Sequence, residues 1–154
     1  MPPPRPTLEQ LARYSEAFNQ SATLMHFGMK VGFPNIDTVE VVLDPVQPEQ
    51  RGGLGSDAVN GGVLAAMFDL VIGCAPALVD PTRRSATVQL SLNFMSAVRG
   101  DRVVARAHVT RAGEKLVFAS ASIFDAQGQE CASATGLSRL SSIPWASGGT
   151  PAVN

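Results

Sequence analysis

The chain has 154 residues, 45% of them hydrophobic and 16% charged, and 12 Lys and Arg against 13 Asp and Glu leave a formal net charge of -1. That length makes one ordinary domain whose core needs no disulfide or metal to hold it. The charge balance argues against nucleic acid as a partner, because phosphate binding needs a clear positive excess. No run reaches the ~20 apolar residues of a membrane span, and the opening Met-Pro-Pro-Pro-Arg-Pro is not a secretory signal, so neither a membrane nor export is expected. Cys74 and Cys131 lack a C-x-x-C spacing and read as reduced core residues, which points to the cytoplasm. His26 and His108 are the only histidines, which leaves little for a histidine-built metal site. Charge is unevenly spread: residues 1–80 carry four basic and nine acidic groups, whereas 83–115 carry seven basic and two acidic ones. That second stretch is read either as a place for a small phosphorylated ligand or as solvated strand faces paired with acids elsewhere.

In chain order, a proline-rich start over 1–6 and a Ser/Gly/Pro tail over 141–154 are expected to be flexible, with Ile143 and Trp145 able to dock locally. The domain lies between them, over 7–140. From Thr7, a candidate N-cap, to Phe27 the residues Leu8, Leu11, Phe18, Ala22 and Met25 recur at helical spacing and predict one amphipathic covering helix. Met29, Val31 and Phe33, then Val39, Val41 and Leu43, alternate as two strands about a Pro34-Asn35 turn. A loop rich in Gly, Pro and Gln follows. Residues 60–79 then predict a helix buried nearly all round, with Pro76 ending its last turn. Beyond Ser85 come four strands with turns too short for parallel crossovers, in the first of which Val88, Leu90, Leu92 and Phe94 form the apolar phase and Thr87 the polar one. The expected class is α+β with an antiparallel sheet of about six strands.

Asp69 stands out as a carboxylate in the middle of the apolar helix, on a side shared with Gly62, Ala65, Gly73 and Pro76. An apolar setting strengthens a carboxylate as a base, and small neighbours leave room for a ligand or another backbone; bonding to a neighbour or facing solvent is the other reading. At the helix start, Asn60 is a favoured N-cap, and the amides of Gly61 and Gly62 lie in the unpaired first turn at the positive end of the dipole. They can receive an oxyanion, or can form a mere cap and loop exit. Eight residues separate Gly61 from Asp69, about 12 Å along the axis, too far to act on one carbonyl carbon. Catalysis by both needs two copies of the helix in an antiparallel twofold pair.

These residues resemble the hotdog-fold acyl-CoA thioesterases of the PaaI-like subgroup, in which a His-Gly-Gly-x6-Asp pattern opens a long central helix. Here it reads Asn60-Gly61-Gly62 through Asp69, followed by Gly73-Cys74, and the likeness continues through Thr87–Ser96, Gly113–Ala119 and Ala134–Leu137. The resemblance spans about Gly28 to Leu140. It implies a sheet wrapped round a central helix, a homodimer or homotetramer, and hydrolysis of acyl-CoA with no cofactor beyond the coenzyme A of the substrate. By the same carry-over Asp69 is the nucleophile or general base, Gly61 the oxyanion-hole amide supported by Gly62, and Thr87 the hydroxyl beside the acid. Asn60 stands where the family has histidine, and its amide donor can replace the orienting hydrogen bond. Leu54 falls where an asparagine is common, and Asp57 is either a substitute for it or a turn residue.

The expected reaction is hydrolysis of an aryl- or medium-chain acyl-CoA. Leu64, Phe68 and Met25 are expected around the acyl group, and Arg83, Arg84, Arg99, Arg102, Arg106 and Arg111 are candidates for the coenzyme phosphates. The competing reading is a non-catalytic hotdog protein that binds an acyl or aromatic ligand. A hydratase of the same fold ranks lowest, because no histidine lies between His26 and His108.

Overall fold

The computed structural model describes residues 4–145. The chain order is α1 (Leu8–Asn19), α2 (Ala22–Phe27), β1 (Met29–Asn35), β2 (Thr38–Leu43), β3 (Arg51–Gly53), β4 (Ser56–Val59), α3 (Gly61–Cys74), β5 (Arg83–Phe94), β6 (Val103–Ala112), β7 (Leu116–Phe124) and β8 (Glu130–Pro144). Six strands form one antiparallel sheet in the order β1-β2-β6-β7-β8-β5, and β3 pairs with β4 in a separate hairpin. This sheet wraps α3, as the hotdog fold requires.

The covering segment is two helices rather than the one its periodicity suggested. Thr7 caps α1 through a capping box with Gln10, and Ser21 re-caps the chain as α2 by accepting from the Leu24 amide. A serine able to hold an orphan amide starts a new helix where the old one frays. Leu11 and Tyr14 bury one face of α1, and the Asn19 carboxamide clamps both the N–H and the C=O of Val31, which fixes α1 on β1.

The Gly/Pro/Gln loop holds a structured hairpin. Arg51 donates to the carbonyls of Asp57 and Gly100 and pairs with the Asp101 carboxylate at 2.7 Å, so β3 and β4 are stitched to the turn before β6. Leu54 sits at the hairpin tip with φ 50 and is fully exposed.

Helix α3 buries Leu64, Met67, Phe68, Leu70, Val71, Ile72 and Cys74, and passes into a 3-10 turn over Ala75–Leu78, where Pro76 ends the α-helical bonding as expected. The 18 residues Gly61–Leu78 are apolar enough to match a membrane span in composition, and burial under the sheet accounts for that apolarity. The sheet approaches α3 closely at Gly136, where a Cβ would lie 2.7 Å from Ile72 Cγ2 and 3.0 Å from the Gln89 carbonyl.

Two boundaries move. Strand β8 continues through Ser141–Pro144, with Trp145 packed on the core as its N–H donates to the Thr82 carbonyl, so residues 141–145 of the expected flexible tail are part of the fold. At the other end Pro6 is buried and Arg5 pairs with Asp37. The remainder of both expected tails, 1–3 and 146–154, lies outside the described residues.

Gly136→Ala is expected to lower stability by about 1–3 kcal/mol, since backbone and a buried isoleucine surround the added methyl. Urea unfolding checks this, and an unchanged midpoint would show that Ile72 can move aside.

Candidate active site

The α3 N-terminus is built by Asn60. Its backbone is extended, its N–H donates to the Gln50 carbonyl at 2.9 Å, and its own carbonyl accepts from the Val63 and Leu64 amides. The side-chain Oδ1 accepts from the Gly62 N–H at 2.8 Å. That bond fixes the carboxamide's orientation and takes Gly62 out of the set of free donors, which corrects its expected supporting role. Two donors remain without a partner among the described residues: the Gly61 N–H and the Asn60 Nδ2 amide. Both residues are exposed, at the positive end of the helix dipole. Over Gly61 lies Phe94, one ring atom standing 3.8 Å from where a Cβ would be.

Asp69 lies two turns further on, exposed on the open face of α3 with Gly62 and beside half-buried Ala65, Ala66 and Gly73. The burial expected of a carboxylate in the apolar helix is therefore absent within this chain. Thr87 approaches from β5, its hydroxyl 3.5 Å from the Asp69 carbonyl oxygen. A register shift in β5 explains this. Thr87 pairs with Ser138 and Gln89 with Leu137, so Val88 is an extra residue and the inward phase changes there. Ser85 and Thr87 face the helix before the bulge, and Leu90 and Leu92 face it after. The simple alternation that put Thr87 on the polar side is therefore corrected.

A cavity of ≈ 310 Å³ opens beside Asp69, walled by Tyr14, Phe18 and Trp145 and floored by Gly73, Cys74 and Thr87. Tyr14 meets Trp145 edge-to-face, and the Arg84 guanidinium lies over the Trp145 ring at 5.8 Å. Cys74 is not a rival nucleophile, because burial pushes its thiol up to about 12 despite the Tyr14 hydroxyl beside it. A second cavity of ≈ 560 Å³ joins Asn60 and Gly62 to Met25, His26 and Glu49.

Other expected site residues fall elsewhere. Phe68 is fully buried and Leu64 nearly so; both are core residues beneath the sheet, not walls of either cavity. Arg83 is held by the carbonyls of Ser141, Glu114 and Leu140 and lines a different cavity with Leu78 and His108. Arg99, Arg102 and Arg106 pair with Asp57, Asp44 and Glu40, so three of the seven basic groups of 83–115 meet acids from the first half of the chain. Asp57 is accordingly a structural residue of the hairpin. Sequence reasoning passed over Tyr14 as a site residue, although Leu11, Tyr14 and Phe18 share one helical face; Trp145 was legible only as a residue able to dock locally and Phe94 only as part of an apolar strand phase.

The sequence profile of the thioesterase superfamily matches residues 57–132, the stretch that carries Asn60, Gly61, Asp69 and Thr87. Over that stretch, just under half of its length, the chain is similar to the thioesterase superfamily. Solved structures agree in fold. The PaaI protein of the Escherichia coli phenylacetic acid degradation operon aligns with a TM-score of 0.76 at 16% identity, covering 94% of this chain and 98% of that one. A Haemophilus influenzae thioesterase gives 0.73 at 19%, covering 90% and 92%, and a Shewanella oneidensis protein related to the superfamily gives 0.74 at 23%, covering 86% and 96%. At these identities the likeness is one of fold, and at that level the PaaI-like relation holds. No curated protein matches the sequence.

Asn60→Ala should cost about 1 kcal/mol through loss of the cap, whereas Asn60→Asp, an equally good acceptor, should leave the unfolding midpoint near that of the native protein. Equal losses in both variants would show that the carboxamide's Nδ2 also holds the fold.

Proposed function

We propose that this protein is a thioesterase that hydrolyses an acyl-CoA thioester in the cytoplasm, as a homodimer at least, with two equivalent sites between the subunits. The observation that carries the reading is the pair of unpartnered donors at the start of α3, together with an exposed carboxylate further along the same face. The thioester carbonyl accepts from the Gly61 N–H and Asn60 Nδ2 of one subunit. Asp69 of the other takes a proton from water as the oxygen adds to the carbonyl carbon. The tetrahedral oxyanion rests on the two donors, the C–S bond breaks, and the coenzyme leaves as thiolate and takes up the proton. Direct attack by the carboxylate, followed by hydrolysis of the anhydride, uses the same geometry.

Strand β5 supports a dimer. It is one of the two edges of the sheet, 12 residues long, and carries Val88 and Phe94 at 59% and 55% exposure. Such an edge invites pairing, and a copy laid antiparallel along it would cover Asp69 and bring it toward the opposite helix start. The aromatic-walled cavity beside Asp69 is suited to the acyl group, and Arg84 at its border is the best-placed of the expected phosphate ligands.

The second reading, a non-catalytic binder, is favoured by Leu54. It leaves no side-chain amide at the expected water-positioning place, and the nearby Gln50 carboxamide is committed to Gln47 and Phe27. A panel of aryl and straight-chain acyl-CoA thioesters assayed for released thiol separates the two. Hydrolysis is expected, and Asp69→Asn should reduce kcat by at least about a hundredfold while sedimentation still finds the dimer. An active monomer, or unchanged turnover in the variant, would overturn the mechanism. Trp145 is the single tryptophan, so its fluorescence should change when the Asp69→Asn protein binds benzoyl-CoA. Binding without any such change would place the acyl group outside the aromatic cavity.

A further inference from the structure

We propose that Gly73 is a positioning residue: it lacks a side chain so that the Thr87 hydroxyl can stand against α3 beside Asp69. This rests on the thioesterase reading.

A Cβ built on Gly73 would lie 2.9 Å from Thr87 Oγ1, closer than real Cβ contacts occur. Backbone conformation gives no other reason for glycine. Gly73 lies within α3 and has no positive φ, in contrast to Gly28, Gly53, Gly55, Gly100 and Gly128. Glycine is a poor helix former and alanine the best, so the helix by itself would prefer alanine here. Nothing but the threonine oxygen comes within 4 Å of the added atom outside its immediate chain surroundings. The contrast with Gly136 is instructive, because a Cβ there meets backbone and a core isoleucine that cannot easily yield. At Gly73 it meets only a hydroxyl that can swing about χ1. Substitution there therefore displaces a functional group rather than the fold.

Four residues separate Gly73 from Asp69, one helical turn on the same face, and both line the same cavity as Thr87. The hydrogen bonds around them show what this space is for. Ser85 Oγ donates to the Gly73 carbonyl at 3.0 Å and Ser138 Oγ to the Ile72 carbonyl at 3.2 Å, so two strand hydroxyls already satisfy carbonyls near the helix end. Thr87 Oγ1 reaches the Asp69 carbonyl at 3.5 Å, at the limit of a hydrogen bond. It is the loosely held one of the three, free to turn toward a water molecule at the Asp69 carboxylate. The bulge at Val88 brings the hydroxyl inward, and Gly73 gives it somewhere to stand.

The test is a double-mutant cycle with Gly73→Ala and Thr87→Val, read as kcat and KM on the best thioester of the panel, alongside urea unfolding. Gly73→Ala should keep or raise the unfolding midpoint, leave KM within about twofold and lower kcat about tenfold, the scale of one lost hydrogen bond. Thr87→Val should lower kcat similarly, and the double variant should lose no more than the worse single one. Native kcat in Gly73→Ala, multiplicative losses in the double variant, or a lowered midpoint would each overturn the proposal. An active native protein with an unimpaired Gly73→Ala removes this inference alone; a native protein that hydrolyses nothing in the panel removes the thioesterase reading and this inference with it.

Discussion

Everything in this protein is arranged around a helix that cannot stand in water. Helix α3 is apolar over most of its circumference, and a helix of that kind must be enclosed. A curved antiparallel sheet supplies the enclosure, and Gly136 against Ile72 shows how a small residue lets it approach. The sheet closes round most of the helix and leaves one face uncovered. That face carries Gly61, Gly62, Asp69 and Gly73, residues that gain least from burial. The uncovered face is thus a consequence of core packing, and the candidate chemistry sits on what the core leaves open.

The two ends of that face hold complementary groups. At the start, geometry forbids a helix from satisfying its first amides, and Asn60 satisfies the Gly62 amide while leaving that of Gly61. Further along, Asp69 offers a carboxylate beside an aromatic-walled cavity. The helical rise keeps donor and base on separate turns, so the proposed hydrolytic site needs a second copy of the chain to bring them together. The exposed edge of β5 runs beside the same face, so the proposed assembly and the proposed chemistry share one surface.

Much of the architecture was legible from residue order. The buried helix, its Asn60 start and its Pro76 finish follow from local rules, because capping and proline act within a turn of where they occur. Thr7 as the first cap and the antiparallel order of the late strands were equally readable. The break at Ser21 was less so, since the apolar spacing runs across it and only the capping hydroxyl marks it. The β3–β4 hairpin stayed hidden because Arg51 holds it through groups up to 50 residues away. Alternation misplaced Thr87 for a related reason: a bulge is set by pairing with β8, and a single strand carries no sign of it.

The sequence by itself determined the fold class, the superfamily motif and the residues on which a thioester mechanism would rest, because each is encoded in contacts that span a few positions. Tertiary structure decided which of them are available. It consumed Gly62 in a cap, sank Leu64 and Phe68 into the core, tied Arg99 and Asp57 to each other, and turned Thr87 inward toward Asp69. Those outcomes depend on strand register and on partners distant in sequence, and a one-residue slip in pairing reverses which face a side chain takes.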